Sequence, residues 1–357
     1  MELKNIAVAA TTRRTLLMRG GAFALAAPWV SRALAQGASD TLVITGTGGS
    51  TQRMIETEIF PEFGAKHGIK NLVYVAGGGS ELMAKYRSQQ RAPTIDVAWL
   101  SSETLAASLR EDLLQPLDSS QIPAKNDLPD AFQTSEFMLP MGQSAVGLLY
   151  NSQTLSERGI AVPTSWNDLW DDKFKGHAGL LSITSTGTKS LLALISRIAT
   201  GDWKNFDAAI DRFATLRPNL LDVFSAPGPL DAAFQQGDVW IAPQVGLRAL
   251  QFKNAGAPIV FAQPEEGCAG YQVELGVLKG APNKDAAHAW IDYMLQPATQ
   301  EKIMTLLGYT PMNPKVNVSD EYREFFPDPT TVFSPDWSYL SENLEQIVDA
   351  WNRKVER

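Results

Sequence analysis

Short apolar runs alternate along the chain with segments whose apolar residues recur every three or four positions, and this alternation predicts an α/β fold. "TLVITGT" (41–47), "NLVYVAGGGS" (71–80) and "TIDVAWLSS" (94–102) read as strands, each leading into a helical segment. "MGQSAVGLLYN" (141–151) is a further β-prone run. "HAGLLSITSTGTKSLLALISRIA" (177–199) reads as strand, hydroxyl-rich loop and helix, and "GDVWIAPQVGLRAL" (237–250) repeats the form with its turn at Pro243 to Gly246. Ser165 with Asp168 three residues on is a capping-box pattern, and Trp166, Leu169 and Trp170 fall at helical spacing to pin that helix to a core. Asn283 is placed to cap a helix whose stripe is Ala287, Trp290, Ile291, Met294 and Leu295, broken by Pro297. Trp337, Leu340, Leu344, Ile347, Val348 and Trp351 share one face, which predicts a docked terminal helix. Open α/β sheets collect ligands at the carboxyl ends of their strands, so the loops after these runs form one candidate rim.

Composition narrows the class. Of 357 residues, 44% are hydrophobic and 20% charged, with a formal net charge of −8, which argues against nucleic acid as a partner. No stretch stays apolar and uncharged for the ~20 residues a membrane-spanning helix needs. The first 36 residues stand apart. Thr12-Arg13-Arg14-Thr15-Leu16-Leu17 resembles a twin-arginine export signal, an apolar run extends from Gly20 to Val30, and Ala33-Leu34-Ala35 has the small-x-small form of a cleavage site. A general secretory signal is the alternative, and either predicts export. Cleavage after Ala35 removes five basic residues and one acidic one, taking the chain to −12. Cys268 is the single cysteine, so no internal disulfide forms, and none stands at the cleavage point to carry a lipid anchor. The expected compartment is the periplasm.

Catalytic chemistry finds little support. Gly46-Thr47-Gly48-Gly49-Ser50-Thr51 gives G-x-G-x-x-T without the third glycine of a dinucleotide fingerprint, and no P-loop motif occurs. His67, His177 and His288 are far apart and belong to no zinc-ligating pattern. No G-x-S-x-G elbow is present, and Cys268 in "EEGCAGY" has no histidine nearby. The acid pairs Glu265-Glu266 and Asp171-Asp172 read as solvated faces. No cofactor or metal is expected.

Several segments in order resemble the periplasmic solute-binding proteins of ABC importers, in the group that includes spermidine/putrescine-binding proteins. These are "TGTGGSTQRMIETEIFPEFGAKHGIK", "LLQPLD" with "GLLYN", "PTSWNDLWDDKFKGHAGL", "APIVFAQPEEGCAGYQVELGVLKGAPNKDAAHAWIDYMLQP" and "LGYTPMN", spanning about Thr41 to Asn313. The resemblance implies a type II periplasmic binding protein fold: two α/β lobes, a ligand cleft between them and a hinge that closes on the ligand. It implies no catalysis, transient contact with a membrane permease and a monomer. The expected lobes are 37–143 plus 244–307 and 144–243 plus 308–357, after an export segment 1–36.

Carried onto this chain, the resemblance gives as cleft candidates Thr47, Gly48, Gly49, Ser50, Thr51, Trp99, Ser101, Ser185, Thr186, Gly187, Thr188, Gln244, Tyr271, Glu274 and Tyr309. Helix capping remains the alternative for Ser185 to Thr188, and core packing for Trp99. Polyamine binders hold their ligand with carboxylates and aromatics, whereas Ser185 to Thr188 offer hydroxyls and a glycine before a helix, which suit an anionic group. Pro243-Gln244 has no acid or aromatic at its turn, while Trp99, Tyr271 and Glu274 could still wall and pair a cation. The expectation is capture of a small polar organic solute, zwitterionic or acidic. A polyamine, a periplasmic enzyme and a sensor subunit are the alternatives.

Overall fold

A computed structural model describes residues 40–133 and 135–356; the expected export segment, with its cleavage point at Ala35, lies outside them. β1 (Thr41–Gly46) runs parallel to β2 (Asn71–Ala76) in the register Ile44 to Tyr74. Parallel neighbours need a crossover, and α1 supplies it. This helix begins at Ser50–Met54, passes through a π-turn at Ile55–Ile59 and continues as Phe60–His67. It buries Ile55, Ile59, Phe60 and Phe63 and stops at Gly68, whose φ of 69° only glycine adopts readily. The chain continues through α2 (Gly79–Ser88), β3 (Val97–Ser101), α3 (Ser102–Arg110) and β4 (Leu114–Gln115) into β5 (Met138–Asn151), buried along almost its whole length. After it come α4 (Ser152–Glu157), β6 (Ala178–Leu181), α5 (Thr186–Thr200), α6 (Phe206–Ala214), β7 (Leu220–Phe224), α7 (Pro227–Gln236), β8 (Ile241–Val245) and α8 (Gly246–Asn254). β9 (Ile259–Ala262), β10 (Ala269–Leu278), α9 (Lys284–Leu295), α10 (Trp337–Glu342) and α11 (Leu344–Lys354) complete the elements that matter here.

The strands form one mixed sheet in the order β2-β1-β3-β10-β5-β8-β6-β7, with β4 on β10 and β9 on β5. β5 and β10 lie antiparallel at its middle. Val273 to Val277 of β10 pair with β3, while Val146 to Tyr150 of β5 pair with β8. These two strands therefore join two groups of elements. One group packs Ile44, Phe63, Trp99, Leu275 and Trp290 together; the other packs Trp166, Leu180, Leu192, Phe213 and Trp351. A further cluster holds Ala249, Leu250, Phe252, Ile259 and Phe261 against Leu149, Leu181 and Leu230. Residues 246–262 thus pack with β5, β6 and α7.

Local signals read from the sequence appear with adjustments. Ser165 and Asp168 do make the reciprocal capping box, but the helix they start is a 3₁₀ turn, Trp166–Trp170. Trp166 and Leu169 are fully buried and Trp170 lies partly buried against the same core. Glu266 is not a free surface acid: it accepts from Ser165 Oγ (2.5 Å) and from the Trp166 N–H (3.2 Å). Asp171 likewise caps the next turn through the Lys173 N–H. Asn283 caps α9, which ends at Leu295 before Pro297. The terminal apolar face is carried by two helices, α10 and α11, which meet at Asn343.

Candidate functional site

Where β6 and β8 end and β5 passes β10, the chain leaves a cavity of about 170 Å³. Ser185 precedes α5 in extended conformation and makes no side-chain cap bond, so its hydroxyl is not committed to the helix end. Gly187, in the first turn, also lines the cavity; a Cβ there would lie 3.0 Å from Val146 Cγ2, so a larger residue would have to shift Val146 or the helix start. Thr188 lines the cavity too, and its hydroxyl donates back to the Leu181 carbonyl (3.1 Å), tying the helix start to the end of β6. Thr186 turns elsewhere. Its hydroxyl donates to Glu103 Oε2 (3.3 Å) on α3, and Lys189 Nζ meets both oxygens of the same carboxylate at 2.7 and 2.8 Å.

Across the cavity stand the end of β8 and the start of α8. Gln244 is 3% exposed, and its Oε1 accepts from the Val245 N–H (2.9 Å). Arg248 lies in the first turn of α8, with Nη1 2.9 Å from Gln251 Oε1 and 3.4 Å from Asp231 Oδ2. Burial pushes the Asp231 carboxyl above its usual range, with Arg248 pulling the other way. Tyr271 and Tyr309 supply aromatic walls, and burial raises both phenols. Glycine 142 sits under Tyr309: a Cβ there would meet the Tyr309 Cβ at 2.7 Å. Among the described residues that line the cavity, Arg248 is the charged one and no carboxylate is present.

The structure thus brings Ser185, Gly187, Thr188, Gln244, Tyr271 and Tyr309 together around one space. The other sequence candidates lie elsewhere. Thr47, Gly48 and Gly49 are exposed, the Thr47 carbonyl accepting from Tyr74 Oη (2.8 Å), and Ser50 and Thr51 open α1; Thr47, Gly48, Gly49 and Thr51 do not line the cavity. Trp99 is a core residue opposite Leu275, with its ring 6.3 Å from that of Tyr309. Ser101 is the N-cap of α3 in a reciprocal pair with Thr104. Arg248 escaped the sequence reading, yet it carried a signal. A cation in the first turn of a helix opposes the macrodipole, and Asp231 at 3.4 Å offsets part of that cost.

Glu274 is 3% exposed, opposite Leu100 and Pro140, and its Oε2 has no partner among the described residues. Burial pushes its carboxyl up to about 8, against an ordinary 4.5. The folded protein therefore keeps a proton that the unfolded chain releases, and stability falls as pH rises from about 4.5 to 8. Glu274→Gln is expected to match the parent's melting midpoint at pH 5 and exceed it at pH 9. A difference between the two that stays constant from pH 5 to 9 would refute this assignment.

The histidines and the cysteine have structural surroundings. His177 stacks on Trp240 at 3.5 Å, His67 stacks on Phe63, and His288 Nε2 accepts from the Asp118 N–H. Cys268 is buried, which raises its thiol to about 12.

Residues 58–325 match the family described as bacterial extracellular solute-binding protein. The chain is 28% identical over 262 residues to spermidine/putrescine-binding periplasmic protein 1 of Haemophilus influenzae, covering 71% of each. It is 22% identical over 292 residues to a periplasmic protein of Salmonella typhi named for 2-aminoethylphosphonate binding, covering 79% of this chain and 82% of that one. The crystal structure of an ABC transporter protein from Clostridium perfringens superposes with a TM-score of 0.76 at 23% identity, over 88% of this chain and 99% of that one.

Proposed function

We propose, for a chain that belongs to the bacterial extracellular solute-binding protein family, that it captures a small solute bearing an anionic group and delivers it to the permease of an ABC importer. The observation that carries this reading is the cavity's lining: a guanidinium, two helix starts and hydroxyls, without a carboxylate among the described residues that line it. Helix N-termini and arginine both favour an anion. The tyrosine walls suit an organic remainder, an amine included. 2-Aminoethylphosphonate, in the name of one relative, has both parts; a polyamine, in the name of another, would place ammonium groups against Arg248.

In this reading β1–β4 with α9 make one lobe and β6–β9 with α10 and α11 the other, with β5 and β10 as the crossings. Hinge closure would bring the Thr47–Thr51 loop and Ser101 toward the cavity, and the ligand would stabilise the closed form through its differential affinity. The protein is exported on its twin-arginine-like segment, cleaved near Ala35, and works as a monomer without catalysis or cofactor.

A thermal-shift screen of the mature protein tests the ligand class. A ligand at 1,000 times its Kd adds about 4 kcal/mol, a shift of several degrees. The expected result is a shift with 2-aminoethylphosphonate or another small anion and none with spermidine. A shift with spermidine and with no anion overturns the reading.

A further inference from the structure

Gln244 combines three properties that single it out within the cavity. It is 3% exposed, it lines the cavity at the end of β8, and its Nε2 has no partner among the described residues. Its amide is oriented by chemistry. The Val245 N–H can only donate, so the side-chain atom 2.9 Å from it is the oxygen, and the NH₂ group is turned away from that bond. Across the β5–β8 ladder its partner is Gly147, which has no side chain to receive the NH₂ group. Four residues on, in the first turn of α8, comes Arg248. The strand end and the helix start therefore place Gln244 and Arg248 on the lining of the same cavity.

We propose that Gln244 is the specificity-determining residue of this cavity, donating through Nε2 to an oxygen of the ligand's anionic group and rejecting a protonated amine at that position. The inference rests on the anion reading above and sharpens it. An unpaired buried donor is costly, so a ligand oxygen that reaches Nε2 gains more than it would from a donor already bonded to protein. An ammonium group brings only hydrogens, and hydrogens facing the hydrogens of an NH₂ group repel. Gln→Glu keeps the shape but replaces the donor with an anion, which inverts the preference.

Titration of the mature protein with 2-aminoethylphosphonate and, separately, with spermidine tests this by calorimetry and melting midpoint. Gln244→Met, close in length and without a donor, is expected to lose ten- to a hundredfold in affinity for the phosphonate. Its unliganded midpoint carries two opposed changes, the unpartnered Nε2 removed and the Val245 N–H left without Oε1, so the Glu variant, which keeps that acceptor, separates a binding role from a structural one. Gln244→Glu is expected to lose phosphonate binding and to gain stabilisation by spermidine. A Met variant that binds within threefold of the parent, or a Glu variant that keeps the parent's phosphonate affinity, overturns the proposal and leaves the anion reading intact. A parent protein that no anion stabilises overturns both. Should the Met variant not fold, the Glu variant decides.

Discussion

Arg248→Ala is expected to weaken binding of 2-aminoethylphosphonate by ten- to a hundredfold, a loss as large as that of Gln244→Met. The guanidinium is the charged group that the cavity presents to a ligand, and Gln251 and Asp231 hold it in place. Its side chain is 31% exposed, so water screens part of its field and the effect stops short of the several-thousandfold a fully buried pair can reach. Arg248→Lys should recover only part of the loss, because an ammonium cannot grip two oxygens of one head group as the planar fork does. Calorimetric titration of the three proteins checks both statements, and the screening argument adds a salt dependence. Raising ionic strength should weaken the parent more than the Ala variant. Parental affinity in the Ala variant would place the ligand's anionic group outside this cavity.

Trp166→Ala is expected to lower the melting midpoint by roughly 10 °C, since removal of a fully buried large aromatic costs about 3–5 kcal/mol. The indole is 0% exposed within the cluster that also contains Leu169, Phe174 and Trp351. Its Nε1 donates to the Gly267 carbonyl (2.9 Å), which ties the 3₁₀ turn to the segment entering β10. Truncation leaves both a cavity and an unbonded carbonyl. Trp170→Ala should cost less, because Trp170 is only partly buried and Arg212 already lies over its ring at 4.5 Å. Thermal denaturation of both variants ranks them; equal shifts would mean that the turn is not anchored through Trp166.

These residues also show how far the sequence alone reaches. Helical spacing marked Trp166, Leu169 and Trp170 as anchors, because a short amphipathic turn must bury its apolar side whatever lies opposite. The glycine and hydroxyl residues of Ser185 to Thr188 were legible as a strand-to-helix junction, and three of the four do line the cavity. Thr186 was not separable from its neighbours, since only the third dimension brings Glu103 against it. Glu274 looked like a cation's partner because carboxylates usually are; its burial opposite Leu100 and Pro140 follows from the position of β10 in the sheet.

Alternating apolar periods and capping residues by themselves determined the α/β class, the strands β1 to β3 and the capped ends of the 3₁₀ turn and α9, all of which depend on interactions a few residues apart. The tertiary structure alone decided which chain ends face one another. It put residues 246–262 against β5 and α7, and it closed the cavity with Arg248 from α8, Tyr271 from β10 and Tyr309 from a loop far along the chain. Local rules act over a few residues, whereas a binding cavity gathers groups more than a hundred positions apart through strand order and packing. No spacing in the sequence encodes that order.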